Sequence, residues 1–194
     1  MTILILMGPP GAGKGTQAKV LAERLGVPTI STGDIFRANV ASGTELGREA
    51  QRYIDAGEYV PDELTNDMVR ERLAADDTRA GFLLDGYPRT LDQVAVLDEL
   101  LAGQHRQLDA VVELEVEPDE LVQRLLRRAK LEHRSDDTEE VIRRRLQAYA
   151  EQTLPLIKVY GERGLVIPVD GAGEVDEVSQ RILQVAESFL DRDR

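Results

Sequence analysis

The residues most clearly arranged for chemistry form a glycine-rich stretch with one lysine at positions 8–16, Gly-Pro-Pro-Gly-Ala-Gly-Lys-Gly-Thr. An apolar run precedes it and an amphipathic segment follows it, which predicts a strand, a tight loop and a helix. Glycines let the backbone turn with its N–H groups inward, and the helix N-terminus adds positive partial charge. Lys14 adds a full charge, so the G-x-x-x-x-G-K pattern predicts a phosphate-binding loop rather than an ordinary glycine-rich turn. The usual Ser or Thr after the lysine is here Gly15, and the hydroxyl moves to Thr16.

A carboxylate at the end of another apolar run is the next candidate. Phe82, Leu83 and Leu84 precede Asp85, so this side chain is expected at the carboxyl end of a strand. Phosphoryl transfer depends on charge neutralisation, alignment and exclusion of water more than on covalent chemistry. Beside a phosphate loop, Asp85 predicts a Mg²⁺ site, held directly or through water. The alternative is a carboxylate that caps a turn or a helix.

Arginines form the third group of candidates, because a guanidinium holds two phosphate oxygens at once and stays charged at working pH. Arg124 and Arg128 are four residues apart and share one face of a predicted helix. For any single arginine the alternative is a solvated charge or an ion pair, and we favour that alternative for Arg127, Arg143 and Arg144. The candidates for phosphate contact are Arg37, Arg89, Arg124, Arg128, Arg134 and Arg145.

Composition restricts the classes of protein to which the chain can belong. Its 194 residues, 42% of them hydrophobic and 31% charged, are enough for one domain with a sizeable core. The absence of cysteine excludes disulfides and thiolate metal sites and suits the reducing cytoplasm. We expect no secretion signal and no membrane span, because the apolar runs are too short for either. A net charge of −12 argues against nucleic-acid binding, and the clustered arginines favour a small polyanionic ligand.

The chain alternates between apolar runs and helical patterns, which predicts an α/β fold with a mainly parallel sheet covered on both faces. The expected strands are 2–7, 28–31, 81–85, 110–116 and 165–169. Their carboxyl ends carry the polar motifs, and ligands of such sheets bind beyond that edge. Two segments interrupt the alternation. Residues 32–75 predict several short helices without a strand, and residues 129–138 predict a polar lid between two helices.

Signals for helix ends flank that lid. Before it, Pro118 followed by acidic residues predicts the start of the first helix. After it, Asp137 with Glu140 can cap the start of the second helix. Pro155 is expected to kink or break that second helix, because proline lacks an N–H group and clashes with the preceding turn.

These motifs, in this order along nearly the whole chain, resemble the adenylate kinases. Gly15 fits this family, which has G-K-G-T where other phosphate-loop proteins have G-K-S/T. The matching stretches are residues 8–16, 31–37 (Ser-Thr-Gly-Asp-Ile-Phe-Arg), 57–61 (Gly-Glu-Tyr-Val-Pro), 81–89 (Gly-Phe-Leu-Leu-Asp-Gly-Tyr-Pro-Arg), 134–138 (Arg-Ser-Asp-Asp-Thr) and 169–171 (Val-Asp-Gly).

The resemblance implies the reaction ATP + AMP ⇌ 2 ADP with Mg²⁺, and it assigns residues to separate tasks. Those on the ATP side would be Gly11, Ala12, Gly13, Lys14, Gly15, Thr16, Arg124, Arg128 and Gly173. Those on the AMP side would be Thr32 and Gln93, next to adenine, and Arg37, Glu58, Tyr59, Val60, Gly86, Tyr87, Pro88, Arg89, Arg134 and Arg145. Transfer would depend on Lys14, Arg37, Arg89, Arg128, Arg134 and Arg145, and Asp85 would hold Mg²⁺ through water.

The resemblance also implies a three-layer P-loop fold with a five-stranded parallel sheet and two mobile segments. Residues 1–194 would form a single domain, with an AMP-binding insertion at 31–60, a lid at 128–138 and a core of 1–30, 61–127 and 139–194. The lid is short and has no cysteine, so no structural zinc is expected. We further expect a cytoplasmic monomer that binds ATP, AMP and ADP, without a nucleic-acid or membrane partner.

Two other functions share parts of this pattern. A kinase for UMP or CMP would carry the same loop, Asp85 and arginines, but pyrimidine-directed relatives tend to have Ala where this chain has Thr32. A nucleotide-dependent switch or binding module would have the loop without a second nucleotide site. The chain has no guanine-reading N-K-x-D motif, and a switch would not need Tyr87, Pro88 and Arg89. A purely structural role fits these motifs least.

Overall fold

The computed structural model describes residues 2–132 and 138–190, and these contain one sheet of five parallel strands. Their order across the sheet is β2-β3-β1-β4-β5. All five predicted strands are confirmed, with ends that differ from the prediction by at most one residue. In chain order the strands are β1 (Thr2–Met7), β2 (Thr29–Ser31), β3 (Gly81–Asp85), β4 (Ala110–Glu115) and β5 (Val166–Asp170).

Helices connect the strands and cover both faces of the sheet. Two irregular turns lie among them, a 3-10 turn at Asp76–Thr78 and a π-helical turn at Tyr149–Thr153. Within the described residues, none of these helices is long and apolar enough to cross a membrane. The helices are α1 (Lys14–Leu25), α2 (Thr32–Ala41), α3 (Glu45–Ala56), α4 (Asp62–Leu73), α5 (Leu91–Gly103), α6 (Pro118–Glu132), α7 (Glu139–Ala148), α8 (Leu154–Glu162) and α9 (Val175–Leu190).

The sheet separates two hydrophobic cores, so the fold has three layers. Alternate residues of β1 point to opposite faces. Ile3 and Ile5 pack in the core that includes residues of α4, α5 and α8, whereas Leu4 and Leu6 pack in the core that includes residues of α1 and α9. Every residue of β3 is buried, as expected for a parallel strand covered on both faces. The predicted three-layer α/β fold is confirmed.

The carboxyl ends of β1 and β3 lie side by side at the centre of the sheet. The two strands are neighbours, and Leu6 is paired with Asp85. The chain passes from β1 to the edge strand β2, and later from β3 to β4 on the other side of β1. Ligands of open parallel sheets bind where the connections change direction in this way. The glycine-rich loop and Asp85 therefore meet at the expected binding edge.

Two helices of the predicted insertion 31–60 approach each other closely. α2 begins at Thr32, directly after β2, and the side chain of Thr44 caps the N-terminus of α3. A Cβ on Gly47 would lie 2.2 Å from Asn39 O, so the two helices can be this close only with glycine at that position. The prediction of several helices without a strand is confirmed for this part of the chain.

The predicted loop 129–138 differs from the structure at its first residues, whereas α7 begins at Glu139, directly after the predicted end. α6 continues to Glu132, so the first residues of that segment are helical. Ala, Lys, Leu and Glu are strong helix formers, and this propensity outweighs the polarity that favours a loop. Asp137, the expected cap of the next helix, lies outside the described residues, and the N-cap of α7 is Thr138. Its Oγ1 accepts a hydrogen bond of 3.4 Å from the Val141 N–H.

The helix after this segment is interrupted where Pro155 predicts an interruption. α7 ends at Ala148, the π-helical turn follows, and α8 starts at Leu154. Pro155 lies in the first turn of α8, where its missing N–H removes no helical hydrogen bond. Because a π-helical turn contains more residues than an α-helical turn, it shifts the side-chain register between α7 and α8.

Candidate active site

The loop between β1 and α1 has the arrangement that its glycines predict. It follows Met7 and ends at Lys14, the first residue of α1. Gly11 has a φ of +89°, and a Cβ on it would lie 2.9 Å from Leu125 Cγ, so the loop fits against α6 only with glycine at that position. The free N–H groups and the dipole at the α1 N-terminus make this loop a favourable place for an anion.

Lys14 lies inside this loop and bonds to its backbone. Its Nζ donates hydrogen bonds to Gly8 O at 2.7 Å and to Pro9 O at 2.9 Å. The pKa of Lys14 is lowered to about 8, mainly because burial removes water from the ammonium group, while Asp85 opposes the shift. The nearby cations that add to the lowering are Arg89, Arg145 and Arg128.

Asp85 has the properties of a carboxylate that can hold a metal ion beside phosphates. It is the last residue of β3 and is 8% exposed. Its Oδ2 would lie 3.7 Å from a Cβ on Gly15, so the carboxylate faces the first turn of α1. Across residues 2–132 and 138–190, no group of three or more Asp, Glu or His side chains is arranged to hold a metal ion. A single carboxylate fits Mg²⁺, which binds through one or two carboxylates and otherwise through phosphates and water.

A cleft, which we call the loop cleft, runs along residues 10–16 and the carboxyl end of β3. Two of the residues predicted for the ATP side, Ala12 and Gly173, do not line this cleft. Ala12 is buried in a hydrophobic core instead. Lys19, which belongs to no motif, and Asp34, which belongs to the 31–37 motif but was given no role, are also part of the wall. The residues predicted for ATP that do line it are Gly11, Gly13, Lys14, Gly15, Thr16, Arg124 and Arg128.

A second cleft, the insertion cleft, lies between the 31–60 segment and the carboxyl end of β3. Phe36 and Ile54 give it apolar surface that the sequence analysis did not single out. Tyr87 and Pro88 line a separate space behind the loop, and the Tyr87 hydroxyl donates to Asn66 Oδ1 at 2.7 Å. The residues predicted for AMP that line the insertion cleft are Thr32, Arg37, Glu58, Tyr59, Val60, Gly86, Arg89, Gln93 and Arg145.

The two clefts meet at a shared wall that carries three arginines. Arg37, Arg89 and Arg145 line both clefts. Phosphates placed in the two clefts would therefore both lie near these three arginines. Such a cluster of cations suits transfer between two phosphates, because negative charge is spread over the oxygens around the transferred phosphorus.

Arg89 is held in this wall by backbone bonds and by an aromatic ring. Its main-chain N–H donates to Gln93 Oε1 at 2.7 Å, and its Nε donates to Gly86 O at 2.8 Å. Its guanidinium carbon lies 4.9 Å from the centroid of the Tyr59 ring, a cation–π contact. These contacts orient the side chain, which reduces the entropy that it loses when it binds a phosphate.

Thr32 and Gln93 are buried beside the insertion cleft and already bond to protein groups. Thr32, 2% exposed, donates from Oγ1 to Gly86 O at 2.9 Å. Gln93, 1% exposed, accepts from the Arg89 N–H and donates from Nε2 to Asp62 Oδ1 at 2.6 Å. The Thr32 oxygen can still accept a hydrogen bond, and the Gln93 amide has one more N–H to donate. Both can therefore contact a base without breaking these bonds.

Arg37 and Arg124 also bond to groups of the protein itself. Arg37 forms an ion pair of 2.6 Å with Asp34, in which the Arg37 side chain is 38% exposed and the Asp34 side chain 59% exposed. Arg124 donates to Ala12 O at 3.5 Å and to Gly171 O at 2.9 Å. Arg124 thus connects the glycine-rich loop to the segment after β5, a bracing contact that its position on the helix did not predict.

Some residues of the site were missed by the sequence analysis, and one predicted residue cannot be placed. Asp62 accepts from Gln93 and from the Thr90 hydroxyl at 2.6 Å, but an acidic residue at a helix start usually indicates only a favourable helix terminus. Thr153 donates to Arg89 O at 2.9 Å, and the π-helical turn removes the periodic signal that could have indicated it. Arg134 lies outside the described residues, so its role stays a prediction.

Comparisons with known proteins identify the family of the chain. The family model described as adenylate kinase matches residues 6–165. An adenylate kinase of a Nocardioides species is 64% identical over 181 residues, which cover 93% of this chain and 95% of that protein. The adenylate kinase of Thermobifida fusca is 57% identical over 95% of this chain and 98% of its own length. That of Kocuria rhizophila is 59% identical over 96% of this chain and 100% of its own length. The chain therefore belongs to the adenylate kinase family of phosphotransferases.

Proposed function

We propose that this chain transfers the γ-phosphoryl group of ATP directly to the α-phosphate of AMP and so forms two ADP. The observation that carries the proposal is the wall shared by the two clefts, with Arg37, Arg89 and Arg145 in both. An AMP phosphate oxygen forms a bond to the γ-phosphorus, while the bond from that phosphorus to the β,γ-bridging oxygen breaks and leaves its electrons on ADP. No protein nucleophile is needed, because a phosphate monoester with a second pKa of about 6 is largely dianionic at neutral pH.

ATP occupies the loop cleft in this proposal. The N–H groups of the loop and the α1 dipole bind its phosphates, and Arg128 adds a further cation. Lys14 exchanges its bonds to Gly8 and Pro9 for phosphate oxygens. A pKa of about 8 leaves this ammonium mostly charged at neutral pH. Arg124 supports the loop from the side, and the backbone of Gly173 lies toward the adenine of ATP.

AMP occupies the insertion cleft. The apolar surface of Phe36 and Ile54 suits a base, and Thr32 and Gln93 contact adenine with the hydrogen-bonding groups that remain to them. The shared arginines bind the AMP phosphate and, with Lys14, stabilise the charge of an in-line transition state. By the resemblance to the family, Arg134 would act together with these arginines.

Mg²⁺ is the metal ion that this site suits. Asp85 would hold it through water, on the side of the carboxylate that faces the first turn of α1. When bound, the ion neutralises charge on the ATP phosphates. Lys14 and the arginines align the donor and acceptor phosphates.

Closure of two segments completes the site. We assign the insertion to 31–60, the lid to 128–138 and the core to 1–30, 61–127 and 139–194. Arg37 comes from the insertion and Lys14 from the core, so closure brings cations of different segments together. It also excludes water that would otherwise hydrolyse ATP.

The proposal includes a cytoplasmic monomer that needs no structural zinc. Zinc sites of this kind use four Cys or His ligands, and the chain has no cysteine and two histidines. A net charge of −12 disfavours a nucleic-acid partner. ATP, AMP and ADP are the ligands that the two clefts would exchange.

The test is incubation of the chain with MgATP and, in turn, AMP, UMP, CMP or GMP, with measurement of the diphosphate formed. We expect the fastest transfer with AMP. Faster transfer to UMP or CMP would replace the proposal by a pyrimidine nucleotide kinase. No transfer to any monophosphate would leave only a nucleotide-binding module.

A further inference from the structure

A side chain outside both clefts holds the main chain of Arg89. Thr153, the last residue of the π-helical turn, donates from Oγ1 to Arg89 O at 2.9 Å. The same Oγ1 lies 2.8 Å from the Tyr59 hydroxyl. A threonine has one hydroxyl proton and a carbonyl oxygen can only accept, so the proton of Thr153 points to Arg89 and Tyr59 donates to Thr153. The result is a directed chain of hydrogen bonds from Tyr59 through Thr153 to Arg89.

Tyr59 contacts the guanidinium of Arg89 directly and its carbonyl group through Thr153. Its ring lies 4.9 Å from the guanidinium carbon, and its hydroxyl reaches the Arg89 carbonyl through Thr153. Thr153 is 94 residues from Tyr59 and 64 residues from Arg89 in the sequence. The contacts among these three residues therefore join three remote parts of the chain. Its geometry fixes the peptide from which the arginine side chain projects.

Burial makes the threonine hydroxyl hard to replace. Thr153 is 5% exposed, so water has little access to the position of its hydroxyl. Without that hydroxyl, the Arg89 carbonyl would lose its hydrogen bond from Thr153. An acceptor without a partner raises the free energy of the folded state more where water has little access than where it is exposed. The Arg89 N–H is held separately by Gln93. Thr153 and Gln93 therefore restrain the main chain of Arg89 on its C=O side and its N–H side.

We infer that Thr153 and the Tyr59 hydroxyl are positioning residues that set the orientation of Arg89 in the wall shared by the two clefts. The inference rests on the proposed transfer to AMP and adds a residue, Thr153, that no motif indicates. Neither hydroxyl needs to touch the reacting phosphates. Because Tyr59 belongs to the 31–60 segment and Thr153 to the core, the same bonds link the position of the insertion to that of Arg89.

The experiment compares four variants of the full chain in steady-state transfer from MgATP to AMP. They are Thr153→Val, Thr153→Ser, Tyr59→Phe and the double variant Thr153→Val/Tyr59→Phe. We expect Thr153→Val to lower kcat/KM for AMP about tenfold while the KM for ATP changes by less than about twofold. Tyr59→Phe keeps the ring under Arg89 and should cause a smaller loss. Thr153→Ser keeps the hydroxyl and should restore most of the activity.

The double variant tests whether the two hydroxyls act in one chain. Without the Thr153 hydroxyl, the Tyr59 hydroxyl is no longer connected to the Arg89 carbonyl. The double variant should therefore have the same kcat/KM for AMP as Thr153→Val, whereas independent effects of the two substitutions on kcat/KM would multiply. Two matched controls remove buried hydroxyls elsewhere. Thr78→Val removes a hydroxyl that bonds to Ala75 O at 2.8 Å, and Tyr160→Phe removes one without a partner among the described residues. Both controls should keep the kinetic constants of the unaltered chain, whatever their melting temperatures.

The possible results separate the positioning role of Thr153 from the proposed transfer to AMP. If the unaltered chain transfers to AMP but Thr153→Val matches Thr78→Val in kcat/KM, the inference is wrong and the proposed function stands. The inference is also wrong if the losses multiply in the double variant. If the unaltered chain transfers no phosphoryl group to AMP, the proposed function is wrong, and the inference, which rests on it, is wrong as well.

Discussion

Lys14 Nζ donates a hydrogen bond of 2.7 Å to the carbonyl oxygen of Gly8, the first residue of the loop that the lysine closes. A second bond goes to Pro9 O at 2.9 Å, which leaves one ammonium proton for another acceptor. A phosphate in the loop cleft would compete with both carbonyl oxygens, and a charged oxygen is the stronger acceptor. The same side chain can therefore stabilise the loop and bind a ligand without a change of the backbone.

Replacement of Lys14 by methionine removes this charge but keeps a long, helix-forming side chain. We expect kcat to fall by about 10²–10³-fold, the loss typical when one preorganised partner of a transition-state charge is removed. Circular dichroism should show an unchanged fold. Lys158→Met is the matched control, because it alters an exposed lysine of α8 that only approaches Glu162, and it should keep the original kcat. Near-normal kcat in Lys14→Met would contradict the assignment.

The lowered pKa of Lys14 makes ATP binding depend on pH. In the free protein the neutral form of Lys14 increases as the pH rises through about 8, since burial disfavours the charged form. Bound phosphates favour the ammonium form and raise its pKa. Binding above about pH 8 should therefore take up a proton, and ATP affinity should fall between about pH 7 and 9.

Calorimetry in two buffers with different ionisation enthalpies measures that proton uptake. The difference in apparent binding enthalpy between the buffers should be largest above about pH 8, where ATP itself has already lost its last phosphate proton. The Lys14→Met variant should show a smaller uptake. Equal uptake in the variant and the unaltered chain would mean that another group titrates.

Elements with a strong local signal could be predicted from the sequence. Each strand is an apolar run, and Asp85 follows one of them directly, so its place at the binding edge follows from the parallel topology. The end of α6 could not be predicted in the same way. The polarity of its last residues predicts a loop, whereas their high helix propensity predicts a helix. The structure shows a helix to Glu132.

Contacts that join remote segments could not be predicted at all. The Gln93 amide bonds to Asp62, 31 residues away, and this bond depends on how α4 packs against α5. Thr153, which bonds to Arg89 O, lies at the end of a π-helical turn, and a 3.6-residue period does not describe the side-chain positions there. Most of the residues predicted from type and spacing line the two clefts, whereas the residues that hold them in place, such as Asp62 and Thr153, were not predicted.

Thr32 provides a test of base selection. Thr32→Ala removes the bond of 2.9 Å to Gly86 O and the proposed contact with adenine. We expect kcat/KM for AMP to fall about tenfold, because the Gly86 carbonyl keeps only the bond from Arg89 Nε and the base loses one contact. The values for UMP and CMP should fall less, since pyrimidine-directed relatives tend to have alanine at this position. Steady-state kinetics with the three monophosphates at saturating MgATP measures the ratios, and equal losses for all three would exclude a role for Thr32 in base selection.

Gly47 sets the distance between the two helices that form the insertion cleft. A Cβ at this position would lie 2.2 Å from Asn39 O and 2.3 Å from Asn39 C, so Gly47→Ala must separate α3 from α2. We expect the free energy of unfolding to fall by about 1–3 kcal/mol, the usual cost of overpacking. The KM for AMP should rise as well, because α2 carries Arg37 and α3 leads directly to Glu58.

Gly161 offers the matched control for this prediction. It lies in α8, and no atom would come within 4 Å of an added Cβ. Alanine has a higher helix propensity than glycine. Gly161→Ala should therefore raise the free energy of unfolding by about 0.5–1 kcal/mol and leave the KM for AMP unchanged. Urea unfolding of both variants measures the two opposite effects of the same chemical change. A Gly47→Ala variant as stable as Gly161→Ala would mean that the contact between α2 and α3 does not hold the insertion cleft in shape.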